Sequence, residues 1–111
     1  MPTIIIKAEP EQVAFDLART ALIIIDMQRD FLEPGGFGET LGNDVSLLAA
    51  AVPPCKAVLL AARAAALLVI HTREGHRPDL SDAPKAKLER GHPVMRIGAS
   101  GPMGQIGRAH V

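Results

Sequence analysis

LIIIDMQRDF, residues 22–31, is the stretch on which the fold turns. With Ala21 it makes ALIIID (21–26), apolar at every position and closed by an acid. Without alternation of polar and apolar residues, such a run fits a strand buried on both faces, as in a parallel sheet between helix layers. A second run of the same kind, LLVIHTRE (67–74), also ends in polar residues. Between them lie a loop and a helix. EPGGFGETLGN (33–43) carries four Gly and one Pro and reads as loop. DVSLLAAAVPPCKAVLLAARAAA (44–66) has Val45, Leu48 and Val52 at helical spacing, with Asn43 or Asp44 as N-cap. Pro53 and Pro54 predict a kink or break, with a second segment starting near Pro54, because proline is welcome only in a helix's first turn.

The order strand, loop, helix, strand predicts an α/β fold: a three-layer parallel sheet flanked by helices, Rossmann-like in kind, with 21–26 and 67–72 as neighbours. TIIIKAE (3–9) reads as a further short strand and PEQVAFDLART (10–20) as a polar lead-in. Beyond Glu74 the chain is rich in Gly, Pro and charge, and only APKAKLER (83–90) reads as a helical turn.

The bulk composition excludes several classes. At 111 residues there is room for one small domain. Twelve basic residues balance twelve acidic ones, so no basic field exists for nucleic acid or an anionic membrane. The N-terminal apolar stretch is too short for a signal segment, and no transmembrane span is expected. A lone Cys55 excludes an intrachain disulfide framework and fits a reducing cytoplasm.

In open α/β sheets, sites form beyond the carboxyl ends of the strands. Asp26 stands at that end of the first long strand; Arg73, Glu74 and His76 stand at that end of the second. On spacing alone Asp26 is either a general base or a residue capping its own turn. Phe31 is either a pocket wall or ordinary core. GGFG (35–38) is no phosphate loop, since no Lys-Ser/Thr follows it. The strand-end acid is also no dehalogenase-type nucleophile, because Gln28 stands where a second Asp is needed.

The combination TALIIIDMQRDFLEPGG, then a helix, then LLVIHTREGHRPD resembles the N-terminal half of the isochorismatase-like cysteine hydrolases. Asp26, Gln28, Asp30 and Phe31 match that family's first-strand D-x-Q-x-D-F signature. GHRPDLSDAPKAKLERG and GPMG resemble a subgroup of amide hydrolases acting on biuret, ureidoacrylate and N-carbamoyl compounds. The resemblance implies cleavage of a C–N bond in a small linear amide through an Asp-Lys-Cys triad, without a cofactor. It implies Asp26 as the catalytic acid, with Gln28, Phe31, Arg73 and His76 on the substrate side, and a homo-oligomer for the full-length protein. The D-x-H element by which nicotinamidase relatives hold a metal is not found, so no metal is expected.

The triad's Lys and Cys belong to later strands in that family. Lys85 and Lys87 fall on a polar surface helix, and Cys55 falls on the helix after the first strand. The chain by itself is therefore expected to be inert. Residues 1–105 carry the resemblance. IGRAHV (106–111) departs from it, and back-translates as ATC GGA AGA GCA CAC GTC, which matches a common sequencing adapter; these six residues are expected to be translated adapter. Two other functions remain open at this stage: ether hydrolysis of the isochorismatase type, and a non-catalytic module that binds a ligand or partner through its sheet edge.

Overall fold

The structure is a computed structural model that describes residues 3–91, 93 and 96–107. Its centre is a parallel pair, β3 (Ala21–Ile25) and β4 (Leu68–Thr72). The register runs from Ala21 opposite Leu68 to Ile25 opposite Thr72. The ladder extends one residue further, since the Asp26 N–H donates to the Thr72 carbonyl at 3.2 Å. Both strands therefore end at the same level, as the two apolar runs predict.

The chain between them is helical. α1 (Arg29–Leu32) follows β3 directly, and α2 (Phe37–Thr40) is a single turn inside the segment expected as loop. α3 (Val45–Ala49) is capped by Asp44, whose carboxylate accepts from Ser46 N–H at 3.0 Å. The helix expected over 44–66 breaks after Ala49 and resumes as α4 (Val52–Ala64). Pro53 and Pro54 thus occupy α4's first turn, where a missing N–H costs nothing.

α4 packs on one face of the β3–β4 pair. Leu22 and Ile24 point toward it, and Ile24 and Ala62 are buried there. The opposite face holds Ile23, Ile25, Leu68 and Ile70, exposed by 51%, 65%, 65% and 39%. Among the described residues no helix layer covers it, so the unbroken apolar pattern of the strands exceeds the cover this chain supplies. The radius of gyration is 17.7 Å, against roughly 13 Å for a compact domain of this length. The extended shape and the bare face have one cause: the core is a single interface rather than an enclosed centre.

The N-terminus corrects the expectation of a lone strand and a lead-in. β1 (Thr3–Ile6) pairs antiparallel with β2 (Val13–Asp16), with Ile4 opposite Phe15. Val13-Ala14-Phe15 is too short to show its period, but it offers Ile4 an apolar partner across the ladder. α5 (Lys85–Glu89) sits where the helical turn was expected. A final hairpin, β5 (Ser100–Gly101) with β6 (Gly104–Gln105), leads to Ile106, which is 4% exposed. Residues 108–111 of the expected adapter tail lie outside the described residues.

Val45–Ala64 is long and apolar enough to cross a membrane, a stretch the sequence reading did not anticipate. The count runs across the break between α3 and α4, Lys56 and Arg63 interrupt the apolar surface, and α4 packs on the sheet. Those features fit a covering helix.

The bare face makes a direct prediction. Replacing Ile25 and Leu68 together by Thr should reduce self-association in light scattering. The melting temperature should move by no more than about 4 °C, because both side chains are already mostly in water. Unchanged self-association would show that this face does not drive it.

Candidate active site

Asp26 begins where β3 ends, and its backbone is unusual. Its φ is +53°, the left-handed region that Asp and Asn tolerate better than other non-glycine residues. That turn lifts the chain out of the ladder and leaves the carboxylate beside the end of β4. Thr72 then holds it from two sides. The Asp26 N–H approaches Thr72 Oγ1 at 3.3 Å, and the Thr72 hydroxyl donates to Asp26 Oδ1 at 3.2 Å. Strain at one residue, fixed by contacts from the next strand, is a frequent mark of a functional site. Thr72 was not singled out from the sequence. The signal was the equal level of the two strand ends, which brings the last β4 side chain to Asp26.

Gln28 has a different place from the one expected. It is 1% exposed, and its amide is spent on the backbone of the other strand's extension. Its Nε2 donates to the Glu74 carbonyl at 2.9 Å, and its Oε1 accepts from the Glu74 N–H at 2.7 Å. A side chain closed on both atoms in this way fixes the β4 extension to the β3 extension. Asp30, four residues after Asp26, is 5% exposed in the first turn of α1.

Phe31 and His76 share a cavity of about 70 Å³ with Asp30, Phe37, Glu74, Lys87, Arg90, Ile97 and Gly107. Arg73 lines a different one of about 410 Å³, with Ile24, Met27, Gln28, His71 and Thr72. Asp26 is among the lining residues of neither. The single cleft expected around Asp26 is therefore split: Arg73 lies next to its partner Thr72, while Phe31 and His76 stand on the far side of the Gln28 clamp.

The Gly-rich segment explains where Phe31 sits. A Cβ on Gly36 would lie 2.5 Å from the Asp30 carbonyl oxygen, and one on Gly38 would lie 2.7 Å from that of Phe31. Only glycine lets this backbone close on α1.

Lys87 Nζ donates to Glu74 Oε1. That bond, with the ammonium's charge, holds the Glu74 carboxyl below its usual range. Lys87 is thus committed to Glu74. Lys85 is exposed and faces Glu89 at 3.8 Å. Cys55 lies on α4, lining a groove of about 710 Å³ with Ile24, Met27, Lys56, Leu59 and His71. Neither lysine is placed beside Asp26, and Cys55 is on the covering helix as expected. Among the described residues, no group of three or more His, Cys, Asp or Glu is arranged to hold a metal ion. His92 and His110 lie outside the described residues.

The profile of the Isochorismatase domain matches residues 20–107. Over 79 residues, 71% of the chain, the sequence is 38% identical to ureidoacrylate amidohydrolase RutB of Yersinia enterocolitica. The aligned part is 34% of that protein, so the chain spans about a third of its relative's length.

Gln28→Ala checks the clamp. It should cost about 2 kcal/mol in urea unfolding, since it removes a buried amide and leaves the part-buried N–H and C=O of Glu74 without their partner. A loss under about 0.5 kcal/mol would show that water or another group serves Glu74 equally well.

Proposed function

The chain belongs to the isochorismatase family, and on that premise we propose that it supplies the acid-bearing strand edge of a cysteine hydrolase. The substrate is a small linear amide or carbamoyl compound, and the bond cleaved is C–N. The observation that carries this reading is the Asp26–Thr72 pair: a strained, half-buried carboxylate oriented at the carboxyl edge of a parallel sheet. The similarity to a protein named as a ureidoacrylate amidohydrolase supports the amide class.

In this mechanism Asp26 takes the proton of a cysteine thiol. The thiolate attacks the amide carbonyl carbon, and the electron pair moves onto oxygen. Backbone N–H groups and a lysine stabilise that oxyanion. When the intermediate collapses, the C–N bond breaks and the amine leaves with the proton Asp26 held. Water then hydrolyses the thioester. Thr72 keeps the Asp26 carboxylate in one rotamer, and a fixed base loses less entropy on reaching the reactive geometry. Arg73, which lines the same cavity as Thr72, is proposed to meet a polar group of the substrate.

The thiol and the lysine are proposed to come from sequence outside this chain, because Cys55 is on α4 and Lys87 is held by Glu74. The complete fold would then add strands to the β3–β4 edge and a helix layer over Ile23, Ile25, Leu68 and Ile70. It is proposed to work as a cytoplasmic homo-oligomer.

The test has two arms. Residues 1–111 alone should release no ammonia from ureidoacrylate, biuret or N-carbamoyl amino acids, and Cys55→Ser should change nothing. In a chain extended by the remaining sequence of the Yersinia relative, Asp26→Asn should preserve the circular dichroism spectrum and lower turnover by about 10³-fold or more. Turnover close to that of the unmutated chimaera would remove Asp26 from the reaction.

A further inference from the structure

His76 stands apart from the Asp26–Thr72 pair, and its surroundings are built for charge. Its imidazole is 9% exposed, and neither ring nitrogen makes a hydrogen bond. Nδ1 faces Asp82 Oδ1 at 3.5 Å, and Nε2 faces Glu74 Oε1 at 3.9 Å. Behind the ring is Gly107, whose carbonyl accepts the His76 N–H at 2.6 Å. The same cavity is lined from α5 and its end by Lys87 and Arg90, and from α1 by Asp30. Asp82 also accepts the N–H of Arg77 at 3.0 Å, which closes the loop on which both residues lie.

A neutral imidazole has one donor and one acceptor. Ionised carboxylates only accept, so either tautomer turns a lone pair toward one of them. An imidazolium has two donors, one for each carboxylate. We propose that His76 is a proton-operated latch. Charged, it bridges Glu74 and Asp82 and closes the loop after β4 on itself; neutral, it lets that loop go.

Both carboxylates are held below their usual range. For Glu74 the main cause is the Lys87 hydrogen bond; for Asp82 it is the Arg77 backbone N–H; the positive charge of His76 adds to each. They therefore stay ionised where imidazoles titrate. The two carboxylates meet two donors only when the imidazole is charged, so the bridge belongs to the acidic side of the range and is lost as pH rises. The latch reaches the strand edge through the clamp, since Gln28 binds the backbone of the same Glu74. That link to Asp26 rests on the proposed reaction; the latch itself does not.

The experiment is thermal unfolding of residues 1–111 at pH 5.5 and 8.5, followed by circular dichroism. His76→Gln, neutral at both pH values, should lower the melting temperature by about 4 °C or more at pH 5.5 and by less than about 2 °C at pH 8.5. Asp82→Asn changes an exposed side chain and leaves the core intact. It should shrink the pH-dependent difference, and the double variant should show coupling at pH 5.5 alone. An equal loss at both pH values would reduce His76 to packing and overturn the latch. So would a chain with no cooperative transition, because the latch needs the loop after β4 folded. Normal turnover by Asp26→Asn in the extended chain would sink the proposed reaction and leave these melts unaffected.

Discussion

A buried side-chain amide holds the working edge of this protein in place. Two parallel strands end side by side, and beyond their ends the backbone ladder has no further partner of its own. Gln28 replaces that partner. Its two amide atoms reproduce, from a side chain, the donor and acceptor that a neighbouring strand would have offered Glu74. Because it is fully buried, the bonds do not compete with water, and leaving either group unpaired would be expensive. Everything around the edge hangs from this bridge. Asp26 leaves β3 in a left-handed turn two residues before it, Thr72 ends β4 two residues before Glu74, and α1 starts one residue after Gln28.

The same bridge divides chemistry from scaffold. On one side are Asp26, Thr72 and Arg73, oriented and open. On the other, Glu74, His76, Asp82 and Lys87 form a polar cluster that ties the β4 extension to α5. The D-x-Q-x-D-F signature accordingly mixes roles. Asp26 is the proposed chemical group, Gln28 the fastener, Asp30 a buried acid in α1, and Phe31 a wall of the charged cavity. Spacing in sequence groups them; the fold does not give them one task.

Much of the architecture was legible in the sequence, for physical reasons that can be named. Ile23-Ile24-Ile25 and Leu68-Val69-Ile70 are runs too apolar for anything but buried strands, and their separation leaves room for a helical crossover. Pro53-Pro54 announced the break between α3 and α4. The cap at Asp44 followed from its side chain's reach. What stayed hidden depended on partners distant in sequence. β2 is a strand because β1 lies across from it, not because Val13-Ala14-Phe15 shows a period. Thr72 orients Asp26 only because the two strand ends fall level. The fastening role of Gln28 shows only once its amide is seen closed on Glu74. The even hydrophobicity of β3 implied cover on two faces, and α4 provides it on one.

Amide hydrogen exchange followed by NMR tests the central claim most directly. Glu74 lies outside every strand, yet its N–H is bonded to a buried side-chain oxygen. It should exchange about as slowly as the amides of the β3–β4 ladder, since both open only when the edge comes apart. Gly75, its exposed neighbour, should exchange far faster. Glu74 exchanging at the rate of Gly75 would contradict the account, because the strand edge would then have no fastener.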